Sequence, residues 1–143
     1  MVITTANSFD VFYAISPDVT DGELNDLFAT AWPDHRPGSF QPVLQRSLAY
    51  VCAYHAGQLV GFVNIAWDGG VHGFILDTTV HAQWQRRGVG KQLLQRAQQA
   101  AREHHIEWLH VDYEPHLYAF YHSCGFHPTM AGLIDLREQA TEH

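Results

Sequence analysis

Hydrophobic residues recur along this chain with two periods, and the switches between them mark out its elements. Phe9 to Ile15 is a short apolar run of strand type. Thr20-Asp21-Gly22-Glu23 then has the capping-box pattern, with Glu23 three residues after the Thr20 cap. Leu24, Leu27, Phe28 and Ala31 follow at i, i+3, i+4 and i+7, which predicts a helix running to Trp32 and stopped by Pro33. Pro33 to Pro42 holds three prolines, a glycine and His35 and reads as a loop, with a brief helix around Val43 to Ser47. Three strands come next: Leu48 to Tyr54, Leu59 to Trp67, and a β-branched run ending at Val80. The turns His55-Ala56-Gly57-Gln58 and Asp68-Gly69-Gly70 join them as an antiparallel meander.

Past Gly88 and Gly90 the period changes. Val89, Leu93, Leu94, Ala97 and Ala101 form one helical face, leaving Lys91, Gln92, Gln95, Arg96, Gln98, Gln99 and Arg102 for solvent. Ile106 to Val111 is a further strand, and strand-helix-strand implies a parallel, right-handed crossover. Glu114-Pro115 opens another helix, with Leu117, Phe120, Tyr121 and Cys124 on its apolar face. Gly125 followed by Phe126 is a Schellman-type stop. Leu133 to Leu136 is the last expected strand. The pattern describes a mixed α/β fold in a single domain, residues 1–143, without repeats or linkers.

Composition narrows the classes of function. Hydrophobic residues make up 46% and charged residues 16% of 143, which suits a globular domain rather than a disordered chain. The formal net charge of −7 argues against a general nucleic-acid binder and favours neutral or cationic substrates. No apolar run has the length of a membrane span, and no basic-then-apolar leader is present, so a cytoplasmic protein is expected. Cys52 and Cys124 fall in apolar segments and read as reduced core thiols.

The candidate chemistry begins at Gln85-Arg86-Arg87-Gly88-Val89-Gly90, where a strand hands over to a helix N-terminus. The first amides of a helix lack intrahelical partners and the dipole there is positive. Gly88 and Gly90 admit close approach to the main chain, and Arg86, Arg87 and Lys91 add charge, so the segment reads as a phosphate or pyrophosphate cradle. A plain tight turn uses the same glycines. Neither the Walker pattern nor the full dinucleotide motif is present, because Leu93 takes the third glycine position.

Val80-His81 ahead of Gln85-Arg86-Arg87-Gly88-Val89-Gly90, followed by Phe120-Tyr121-His122-Ser123-Cys124-Gly125-Phe126, resembles the acetyl-CoA signature and the F-Y-x-x-x-G-F segment of the GNAT superfamily of N-acetyltransferases. The resemblance covers roughly Leu48 to Phe126. It implies a central mixed β-sheet flanked by helices, splayed between the strand ending at Val80 and the strand ending at Val111, with acetyl-CoA in the gap. It further implies that Thr78, Thr79 and Val80 pair through their backbones with the pantetheine arm, and that the amides of Arg86, Arg87, Gly88, Val89, Gly90 and Lys91 hold the pyrophosphate. Tyr121 matches the family's general acid. Glu114 stands where many members carry an asparagine near the pantetheine, a departure, since a carboxylate cannot donate the hydrogen bonds of an amide NH₂.

The implied reaction is direct acetyl transfer from acetyl-CoA to a primary amine, that of a small molecule being favoured by the acidic balance. A non-catalytic acyl-CoA sensor and an acetyltransferase acting on a protein N-terminus or aminoacyl-tRNA are the alternatives. Homodimers are common in the family. Such chemistry needs a neutral amine, a stabilised oxyanion and a protonated leaving thiolate. The Val80 N–H is the candidate oxyanion donor. A phenol of pKa near ~10, such as that of Tyr121, can protonate the thiolate at neutral pH; a core aromatic is the alternative role. For the base, Asp77, Asp112, Glu114, His35, His72, His81, His116 and water all stay open. Strict alternation puts Phe74 and Leu76 on one face of their strand and Asp77 and Thr79 on the other. Trp32, His35, Trp67, Tyr113 and His116 are candidates to line an acceptor pocket. No metal is expected, since the histidines lack an H-E-x-x-H arrangement and His104-His105 face apart.

Overall fold

A five-stranded sheet, β1 Phe12–Ile15, β2 Ala49–His55, β3 Gln58–Trp67, β4 His72–Val80 and β5 Trp108–His110, lies in sequence order from edge to edge. The first four strands pair antiparallel, and β5 joins β4 in parallel. This computed structural model describes residues 10–137 and divides into two compact units, one ending at Val111 and one beginning at Asp112. The expected mixed sheet flanked by helices is present. Among the described residues no helix is long and apolar enough to cross a membrane.

In the first unit, helix α1 (Asp21–Ala31) starts at a complete capping box: the Thr20 Oγ1 accepts from Glu23 N–H and the Glu23 carboxylate accepts from Thr20 N–H, each at 3.1 Å. It buries Leu24, Leu27 and Phe28, which join Leu44 of the short helix α2 (Gln41–Arg46), Cys52 and Phe62 in one core cluster. Helix α3 (Val89–Glu103) buries Val89, Leu93, Leu94, Ala97 and Ala101, as its periodicity predicts, and Ala100 besides. It packs on the other face, where Gly61 makes room for it. A Cβ on Gly61 would lie 3.0 Å from Leu93 Cδ1, 3.1 Å from Val89 Cγ1 and 3.2 Å from Ala53 Cβ. The sheet is thus a layer between α1/α2 and α3.

In the second unit, a single turn of 3₁₀ helix (Pro115–Leu117) leads into α4 (Tyr118–Ser123). The stop at Gly125 is a Schellman motif: φ is +100°, Gly125 N–H donates to the His122 carbonyl and Phe126 N–H to the Tyr121 carbonyl.

Two expectations need correction. Residues 133–136 form no strand. Leu133, Ile134 and Leu136 are more than four-fifths exposed, so an apolar composition without a partner strand does not produce one. The strand expected over Ile106–Val111 is confined to Trp108–His110, because only these residues pair with β4. Phe9, taken as the start of the first strand, lies outside the described residues.

Candidate active site

The parallel ladder between β4 and β5 pairs His72 with Trp108, Gly73 with Leu109 and Phe74 with His110, and stops there. From Ile75 to Val80, β4 has no β5 partner, which is the splay the sheet was expected to have. The edge is a row of main-chain groups of the kind an extended ligand can pair with. At its far end the direction of one group is fixed. His81 N–H donates to the Val60 carbonyl at 2.8 Å, so Val80 and Gly61 form a non-hydrogen-bonded pair. In such a pair both residues' own N–H and C=O groups point away from each other's strand. The Val80 N–H therefore faces the unpaired edge, while its carbonyl accepts from the Gln85 side-chain amide at 3.2 Å.

Midway along the edge sits a β-bulge. Phe62 pairs with Thr79 and Asn64 with Leu76, so Asp77 and Thr78 together oppose Val63. Asp77 takes φ of +58°, a conformation aspartate tolerates better than most residues. The extra residue shifts the side-chain parity. Thr79 lies on the same face as Phe74 and Leu76, and not opposite them as alternation alone suggested. Thr79 is buried, and its hydroxyl donates to the Asp77 carbonyl at 2.9 Å. Asp77 is exposed, yet the protein packed about its carboxyl disfavours the charge and raises its pKa. Thr78 Oγ1 is buried with no hydrogen-bond partner, an unsatisfied donor beside an unpaired edge.

Beyond Val80 a 3₁₀ turn over Ala82–Trp84, capped by His81 Nδ1 accepting from Gln83 N–H at 3.1 Å, leads to the glycine loop. Trp84 is buried, the His55 ring packs against it at 4.5 Å, and the Arg87 guanidinium lies over it at 4.9 Å. Arg86 and Gly88 have φ of +64° and +82°, and Gly88 is the N-cap of α3. The first intrahelical bond runs from Gln92 N–H to the Gly88 carbonyl, so the amides of Gly88, Val89, Gly90 and Lys91 precede the ladder. Three of the chain's eight cationic side chains, Arg86, Arg87 and Lys91, fall in this turn. The arrangement has the donors and charge of an anion cradle. The expected residues Thr78, Thr79, Val80 and Arg86 to Lys91 thus form one continuous run along the edge and the helix start.

In the second unit, Tyr121 is buried and stacks on Tyr113 with ring centroids 4.7 Å apart, with Phe120 and Phe126 edge-on at 5.0 and 5.9 Å. Glu114 is exposed and its Oε2 lies 3.4 Å from His116 Nδ1. In the first unit, His35 Nε2 is 2.9 Å from Asn25 Oδ1 and the ring packs in the α1 aromatic cluster, an internal role. The sequence reading missed Trp84 as the platform under Arg87, Gln85 as the clamp on Val80, and His110. The W-x-x-R spacing was the available signal for the first.

A family model described as the acetyltransferase (GNAT) family matches residues 20–126. The fold along this stretch belongs to the same class, and the chain is a member of the acetyltransferase (GNAT) family. Among curated proteins no sequence matches it. Among solved structures, a provisionally assigned acetyltransferase from Deinococcus radiodurans R1 superposes with a TM-score of 0.77 at 23% identity, covering 94% of each chain. A GNAT-family acetyltransferase from Streptococcus pneumoniae TIGR4 gives 0.71 at 21% identity, over 89% of this chain and 99% of its own. The aminoglycoside N-acetyltransferase AAC(6')-Iy in complex with CoA gives 0.72 at 17% identity, over 97% of this chain and 100% of its own.

Proposed function

We propose that the chain is an acetyl-CoA-dependent N-acetyltransferase that moves the acetyl group directly to the primary amine of a small molecule. The observation that carries this reading is the unpaired edge of β4 running straight into the N-terminus of α3. Acetyl-CoA supplies the activated acyl group. The amides of Gly88 to Lys91, with Arg86, Arg87 and Lys91, hold the diphosphate, and the outward N–H of Val80 pairs with a carbonyl of the pantetheine arm. Because Val80 lies at the cradle end of the edge, the oxyanion is better served further along by the bulge, where Thr78 has an unsatisfied hydroxyl. Tyr121 is the proton donor to the leaving thiolate. Glu114, engaged with His116, is assigned a lesser part in cofactor contact.

A single catalytic domain spanning both units, located in the cytoplasm, is part of the proposal, as is self-association into a dimer. The net charge of −7 supports an uncharged or cationic acceptor over nucleic acid, and AAC(6')-Iy has also been seen with a CoA-S-monomethyl-acetylneamine bisubstrate analogue, which supports a small amine. The test is thiol release from acetyl-CoA with 2-phenylethylamine, ethanolamine and spermidine. Turnover with at least one of them is expected, and Tyr121→Phe should lower kcat by about 10²-fold or more, the scale of lost general acid catalysis. Acetyl-CoA binding by calorimetry with no turnover of any amine would instead identify a sensor.

A further inference from the structure

Two imidazoles meet on the open face of β4 and β5. The parallel register sets His72 beside Trp108 and Phe74 beside His110, so all four side chains stand on one face of the sheet, with Leu76 next in line. His72 Nδ1 lies 2.8 Å from His110 Nε2, and the His110 ring stacks on Phe74 with centroids 4.7 Å apart. A contact this short between ring nitrogens requires a hydrogen on one and a lone pair on the other. The two rings therefore share one hydrogen between them. Their surroundings are open and apolar: Phe74, Leu76 and Trp108 are 37%, 39% and 66% exposed.

Asp68 in the β3–β4 turn accepts from His72 N–H at 3.3 Å, and Asp77 lies further along β4 in the bulge. On the same face β3 presents the uncharged Asn64 and Ala66, and α1 turns Leu24, Leu27 and Phe28 toward the sheet. Helix α3 lies on the opposite face.

We infer that His110 accepts the proton of the incoming amine, with His72 as its positioning and relay residue. The inference rests on the acetyltransferase reading. The unpaired edge of β4 opens where β5 leaves it, at Phe74 and His110, so the ring pair borders the face from which an amine reaches a thioester held along that edge. His110 starts with its hydrogen on Nε2, donating to the His72 Nδ1 lone pair. Its outer nitrogen, Nδ1, takes a proton from the ammonium or from the nitrogen of the tetrahedral adduct. The Nε2 hydrogen passes to His72 Nδ1, and His72 releases its own Nε2 hydrogen to water. One proton leaves the amine, one reaches solvent, and both rings end neutral.

The experiment compares wild type, His110→Gln and His72→Phe across pH 5.5–10, using whichever of the three amines is acetylated fastest, alongside calorimetric binding of acetyl-CoA. His110→Gln should bind acetyl-CoA as wild type does and lose about 10²-fold or more in kcat/KM for the amine at pH 7. That deficit should narrow toward pH 10, where the amine is neutral in solution. His72→Phe takes away the partner that orients His110, so kcat for the amine should fall while KM for acetyl-CoA holds. Undiminished turnover by His110→Gln, or an unchanged kcat in His72→Phe, overturns this inference and leaves the acetyltransferase reading standing. Acetyl-CoA binding without turnover of any amine overturns both.

Discussion

Thr78 has a hydroxyl that is buried and unpaired, which normally costs a protein about 1–3 kcal/mol. A threonine whose only use was to pack would be better as valine, which has the same shape without the polar atom. A partner supplied by the substrate removes the paradox. In the proposed reaction that partner is the oxyanion, absent in the ground state, so Thr78→Val should lower kcat roughly tenfold to a hundredfold, the worth of a hydrogen bond to a charged group. KM for acetyl-CoA should change little, and Tm should hold or rise. A variant with wild-type kcat would return Thr78 to a packing role. His110 stayed invisible at this scale. A lone histidine in a short strand reads as packing, and only the parallel register brings it to His72, 38 positions earlier in the chain.

At the scale of elements, the helices were readable because a face repeats. Every apolar position assigned to α3 is buried, and the capping box of α1 and the Schellman stop of α4 are where the residues placed them. Strands were less readable. Nothing in Asp77-Thr78 announces a bulge, since no glycine marks it, and one extra residue reverses the parity of the side chains beyond it. Leu133 to Leu136 has the composition of a strand but no neighbour to pair with, and pairing is a long-range property. The glycine turn was legible as the handover from strand to helix N-terminus, whereas its mounting on Trp84 was not. The seating of α3 makes a sharper prediction. Gly61→Val would drive branched methyls into Leu93 and Val89, already 3.0 and 3.1 Å from where a Cβ would sit. Such overpacking typically costs about 1–3 kcal/mol. A Tm lower by several degrees and a weaker calorimetric affinity for acetyl-CoA are expected together, because α3 carries the cradle at its end. Unaltered Tm and affinity would mean the helix is not held where Gly61 meets it.

For the whole molecule, the two units differ in what they could sustain alone. Residues 112–137 bury only Tyr121 and Cys124, far short of an independent core. If the chain is one catalytic domain, as proposed, calorimetry should record a single cooperative transition, with calorimetric and van't Hoff enthalpies agreeing. A peptide of residues 112–143 should lack helical circular dichroism. Two resolved transitions would contradict a single domain. Charge tells a complementary story at this scale. The chain is acidic overall, yet concentrates three of its eight cations at one helix start, so the proposed reaction would receive its anionic donor locally and its cationic acceptor over the rest of the surface.

The bulge in β4 has a consequence for how such a protein can change its substrate. Side chains before the kink, His72 and Phe74, look onto open surface, while Thr79 after it is sealed into the interior and Val80 keeps its main chain turned to the edge. One strand is thereby cut into two zones that vary separately. In the proposed reaction, new acceptors could be explored by exchanging residues of the early zone other than His72 without disturbing the late one, whose backbone would handle the donor. Deleting a single residue at the kink would collapse that separation, and no point substitution could restore it.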